Sequence, residues 1–179
     1  SPVSMMPPGL TASLREDEFV DLVRFLSELG KDGEFQVSSR PLVRNWKVLQ
    51  PHARTRDLIG HMGPKIFAER FAGYQWAPMG SMVSGALPAD EMPKVLGRGK
   101  NRYGVARFGL DGDGEGPVIL KINETQLMHL FDGEKEIPLP KKGAASIEVP
   151  AGGDDERFTV SVNSVYRSAP VLIELVEKK

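Results

Sequence analysis

Arg157-Phe158-Thr159-Val160-Ser161-Val162-Asn163 alternates apolar and polar residues without a break. Side chains two apart share a face of a β-strand, so this run predicts a strand with Phe158, Val160 and Val162 on its apolar side. Comparable short runs precede and follow it. They cover 76–87, 102–110, 118–123 with Val118, Leu120 and Ile122 on one face, 127–131, Ile147 to Val149, and Val171 through Leu175. Asp132-Gly133 closes the run 127–131 and signals a tight hairpin. About seven strands, a dozen residues apart and with no helices between them, must pair antiparallel, because parallel strands need crossover connections. The expected fold is therefore mainly β, an antiparallel jelly-roll β-sandwich.

One helix stands in front of these strands. Between Leu14 and Leu29, the residues Phe19, Leu22, Val23, Leu26 and Leu29 recur at the three-and-four spacing of one helical face. Ser13 and Glu16 have capping-box spacing, Glu16, Asp17 and Glu18 suit the positive end of the helix dipole, and Gly30 supplies a stop. A helix of that length is marginal alone, so its apolar face calls for a covering surface. Residues 32–51 read as extended. Residues 52–72 read as loop with a short helical turn, because Gly60, Gly63 and Pro64 interrupt any longer helix.

The composition narrows the functional classes. The 179 residues carry 23 Lys and Arg against 24 Asp and Glu, which gives no global case for a nucleic-acid partner. With 19 Gly, 14 Pro and 40% hydrophobic residues the chain is turn-rich and able to form a core. No apolar run approaches the roughly 20 residues of a membrane-spanning helix. The absence of Cys removes disulfides, thiol nucleophiles and Cys-based metal or haem attachment from this chain. The chain opens at Ser1 without an initiator Met and is read as a processed product or an excised fragment.

Met6-Pro7-Pro8-Gly9-Leu10, followed by Asp17 to Leu22 and Phe25-Leu26, resembles the tail of a c-type cytochrome domain. The resemblance spans residues 4–31 and is to haem-binding modules of secreted sugar dehydrogenases, often of the L-sorbosone type. It implies that Met6 is the distal axial ligand of haem c in a longer parent protein, exported to the periplasm or secreted. The Cys-x-x-Cys-His that would attach the haem is absent from this chain, so no cofactor is expected in it alone. A second resemblance covers much of the remainder. Trp46 to Pro51, Leu130-Phe131-Asp132-Gly133 and Val149-Pro150-Ala151-Gly152 are similar to segments of galactose-binding-like and PA14-like accessory sandwiches. Residues 1–31 are thus expected to be a cytochrome-like remnant and 32–179 an accessory β-sandwich.

Candidate ligand contacts are few. Trp76 and Tyr74, expected near loop ends, are candidates for stacking on a sugar ring, against the commoner use of such rings as buried anchors. Asp111, Asp113 and Glu115 suggest a calcium loop, yet position 122 is Ile where an EF-hand requires Glu, so a solvated hairpin is the simpler reading. Asp154, Asp155 and Glu156 read as a charged turn. His52, His61 and His129 lack metal-ligand spacing, and no metal site is expected. Arg40, Arg44, Lys47, Arg54 and Arg56 form a basic stretch, read as a solvated face or a docking strip for another domain. These features favour a non-catalytic module that docks onto other domains of its parent or binds carbohydrate. The rival expectations are an enzyme using His52, His61 and a carboxylate in a sandwich cleft, and a purely structural interdomain spacer.

Overall fold

The structure, a computed structural model, describes residues 14–29, 31, 40–52, 63–69, 73–97, 99–110, 116–152, 156–167 and 169–177. The chain divides into two compact units, Ser1–Val37 and Ser38–Lys179.

The first unit contains helix α1, Glu16–Glu28. It begins later than the Ser13 and Glu16 spacing implies. Arg15 stands at the N-cap, and its backbone N–H donates to Glu18 Oε2 at 2.9 Å, so Glu18 closes the first turn. The other end closes with Leu29 N–H on Phe25 O. No residue of α1 is buried, and Phe19, Val23 and Leu26 are each more than two-fifths exposed.

The second unit is built from antiparallel strands, as the alternation predicts. They are β1 (Asn45–Gln50), β2 (Gln75–Gly80), β3 (Lys94–Leu96), β4 (Arg102–Phe108), β5 (Val118–Ile122), β6 (Met128–Asp132), β7 (Lys135–Ile137), β8 (Ala145–Val149), β9 (Phe158–Asn163) and β10 (Ile173–Glu177). The larger sheet has the order β2-β1-β4-β9-β6-β7, and the smaller has the order β10-β5-β8. β3 joins the larger sheet by sharing an edge of β4 with β1. β1 takes Ala106 and Arg107, while β3 takes Arg102 to Gly104. The Asp132-Gly133 hairpin forms as expected, with Asp132 opposite Lys135 and Gly133 at φ +56°. The run expected to extend to Leu87 ends at Gly80, because Ser81 to Ala86 turns back on itself and Met82 N–H bonds to Ala86 O.

The two sheets share one core, in the manner of a β-sandwich. Trp46, Val48, Phe108, Phe158, Val160 and Val162 of the larger sheet belong to the same buried cluster as Leu120, Ile122, Val149 and Ile173 of the smaller. Phe108 stacks on Phe158 with centroids 5.2 Å apart, and Trp46 tilts against Phe108 at 5.0 Å.

The opposite face of the larger sheet is covered as well. A 3-10 helix, Pro64–Ala68, lays Ile66 and Phe67 over Leu49, Val95 and Val105. Pro64 begins this turn, where its missing N–H costs nothing. The covering explains why all six residues of β9 are buried, including the polar Thr159, Ser161 and Asn163.

Candidate functional site

A cleft of about 470 Å³ opens where the larger sheet splays. β1 pairs with β4 only at Lys47 and Val48. The chain entering β1 is held by the other sheet, since Val43 N–H donates to Ile173 O at 3.0 Å and Leu175 N–H to Pro41 O at 2.7 Å. Asn45 and Trp46 are thereby drawn away from the end of β4, and the gap forms between them and Gly109. Pro78 and Met79 of β2 and Leu175 of β10 contribute an apolar wall, while Arg44, Lys47 and Arg107 contribute cations.

Lys47 and Arg107 stand directly opposite each other in the β1–β4 register. Like charges in that relation repel, and an anion is needed to hold them together. Glu156 supplies it: one carboxylate oxygen lies 2.5 Å from Lys47 Nζ and the other 3.6 Å from Arg107 Nη1. Lys47 first, and then Arg107, holds the Glu156 carboxyl below the usual range against the opposing effect of its partial burial. Glu156, expected in a solvated charged turn, thus pairs with two cations that line this cleft.

Arg107 is buried and fixed from several sides. Its Nε donates to Thr159 Oγ1 at 3.2 Å, its Nη2 donates to the carbonyls of Phe67 and Glu69, and its guanidinium lies 4.3 Å over the Trp76 ring. That stacking occupies one face of the candidate ring Trp76. Tyr74, the second stacking candidate, is buried in the outer cluster with its hydroxyl donating to Ile66 O at 3.1 Å. Burial, aided by Glu69, pushes its phenol up to about 12. Tyr74 is therefore an anchor for the 3-10 helix. Arg44, from the same basic stretch as Lys47, reaches Val83 O at 3.3 Å.

Elsewhere, a serine, a histidine and an acid form a row across three strands. His129 Nδ1 lies 2.8 Å from Glu136 Oε1, and Ser161 is the register partner of His129. The Ser161 hydroxyl is sealed from solvent and has no hydrogen-bond partner, so it makes no bond to the imidazole. Nucleophilic catalysis needs both that bond and access to the oxygen. His52 is exposed just beyond β1, and the described residues contain no group of three His, Asp or Glu side chains able to hold a metal ion. Met6, His61, Asp111, Asp113 and Glu115 lie outside the described residues.

Two further residues organise the loops. Arg157 makes a bidentate pair with Asp132, both contacts 2.6 Å, and its Nη1 also donates to Pro150 O and Gly152 O. This one guanidinium joins the Leu130–Gly133 and Val149–Gly152 segments that carry the accessory-sandwich resemblance. Glu124 Oε1 accepts backbone N–H groups from Thr125, Gln126 and Gly143. These bonds, with Gln126 and Gly143 foremost, hold its carboxyl below the usual range. Thr125 and Gln126 are sequence neighbours of Glu124, whereas Gly143 and the partners of Arg157 reach these residues only by folding.

Comparisons with protein-family models, curated proteins and solved structures give no match to this chain.

Proposed function

We propose that this chain is a non-catalytic accessory module whose β unit binds carbohydrate in the cleft between β1 and β4. The cleft itself carries the reading. Its volume of about 470 Å³ falls in the range of roughly 300–1,000 Å³ usual for small-ligand sites. It combines charged groups with an apolar wall of Pro78, Met79 and Leu175, suited to the C–H face of a sugar ring. A jelly-roll arrangement is the finer form of the fold we propose, supported by two antiparallel sheets with the non-consecutive neighbours β4–β9 and β5–β10. Titration of the full chain against a glycan panel tests the function. Saturable binding of at least one saccharide supports it, and no binding across the panel sinks it.

The wider setting we propose follows from the resemblance over residues 4–31: a partner domain of c-type cytochrome type in an exported sugar-dehydrogenase-like protein, in which Met6 ligates the haem. In the intact parent, Met6→Ala is expected to abolish the methionine–iron absorption band. A parent that carries no haem, or that keeps this band in the variant, would refute it.

A further inference from the structure

We infer that a second saccharide site lies at the other end of the β unit, where Leu127, Val165 and Tyr166 take the C–H face of a neutral pyranose chain. The inference shares the carbohydrate reading above but not its cleft. The cleft lies beyond Phe108, at Gly109, whereas Ser164 is bound to Arg102 at the opposite end of β4, through its N–H at 2.8 Å and its hydroxyl at 3.1 Å. The seven residues of β4 set the two places roughly 20 Å apart. Leu127 carries the inference. It is the one non-glycine among the described residues with positive φ, at +56°. A leucine there is strained, because its Cβ crowds the following carbonyl, and strain of this kind collects at binding sites. Burial does not offset it, since Leu127 is 37% exposed.

Val165 and Tyr166, 42% and 66% exposed, stand on the adjoining turn, which is locked to the Leu127 turn. Asn163 N–H donates to Leu127 O at 2.9 Å, and Asn163 Oδ1 accepts the N–H of Val165 at 3.2 Å. The buried Arg167 donates to Gln126 O at 2.8 Å and to Glu124 O at 3.0 Å. Both turns are therefore set before a ligand arrives, which lowers the ordering cost of binding. Three side chains fall far short of the roughly 800 Å² per partner of a stable protein interface. A small ligand suits them better than a second copy. Positions 126–128 and 163–166 carry no charged side chain. One exposed aromatic ring with two aliphatic neighbours instead matches a pyranose with equatorial hydroxyls, whose C–H groups are gathered on its faces. The exposed carboxamide of Gln126, on the same turn, offers a donor and an acceptor for those hydroxyls.

Titration of the full chain with cellohexaose, xylohexaose and mannohexaose, followed by its amide NMR shifts, tests the inference. At least one of the three is expected to give saturable shifts at 126–128 and 163–166. Tyr166→Ala is expected to weaken that binding about tenfold, with circular dichroism checking that the fold is kept. Leu127→Asn is expected to weaken it about threefold without lowering the melting temperature, because asparagine tolerates the left-handed region. A melting temperature several degrees lower in that variant would assign the leucine to the fold and overturn its place in the site. Shifts confined to residues 44–47, 78–80 and 109 overturn this second site while supporting the cleft. No shift at 126–128 and 163–166 with any of the three sugars overturns it whether or not the cleft responds. Shifts of these turns that follow protein concentration without sugar overturn it in favour of a second copy.

Discussion

Arg107 shows how one residue can join distant parts of this chain. Strand alternation places it on the polar side of β4, yet it is 6% exposed because the 3-10 helix lies over that side. Its hydrogen bonds to Thr159 and to the carbonyls of Phe67 and Glu69 tie the covering segment to the sheet. Arg107→Ala removes these bonds and the packing against Trp76. The expected cost is about 2–4 kcal/mol in a denaturant melt. Glu124 acts similarly on the loops, and its contribution depends on pH. Its folded-state pKa lies below the unfolded value, so the stabilisation is complete above the ordinary carboxylate range and is lost as pH falls through the lower folded value. Glu124→Gln should therefore lower the melting temperature at neutral pH and narrow its gap to the wild type in acid. Melting curves across the acid range measure that difference, and a gap independent of pH would contradict the assigned role.

At the level of elements, turns and edges set the limits of the strands. Gly85 lies in the turn after β2 at φ +86°, and a Cβ there would come 2.3 Å from Leu42 Cδ1. Gly85→Ala combines left-handed strain with a clash against a buried side chain, for an expected loss of about 2–4 kcal/mol on thermal unfolding. The edges are guarded by composition. β2 carries Pro78, and β7 is three residues long, charged, and followed by Pro138. Helix α1 has the right periodicity and first-turn charges, yet none of its 13 residues is buried. A synthetic peptide of residues 13–31 is expected to be mostly unstructured in water by circular dichroism, since nucleation is costly for so short a helix.

At the level of the molecule, the unit Ser38–Lys179 has its own shared core and its own outer cluster. A chain beginning at Ser38 is expected to fold and to melt within a few degrees of the full chain by calorimetry. Loss of a cooperative transition would show that the first 37 residues are needed for the β core. Pairings such as β4–β9 join residues fifty or more positions apart, so folding is expected on the millisecond-to-second scale of non-local β topologies.

Much of the architecture was legible because it follows from local periodicity. The alternation of Phe158, Val160 and Val162, the Asp132-Gly133 turn and the helical spacing from Phe19 to Leu26 each reflect backbone geometry within a few residues. The short strand β3 lacked such a signal, since three residues are too few to display a period. The cleft was legible only as a run of basic residues containing Arg44 and Lys47. Its geometry depends on which sheet captures Pro41 to Val43, on the register that sets Lys47 opposite Arg107, and on the return of Glu156 to meet them. The sequence by itself determined which residues extend, which turn and which face is apolar, because those preferences are local. Only the tertiary structure decided where the strands splay and which charges meet, because cross-strand pairing joins residues that the chain keeps far apart.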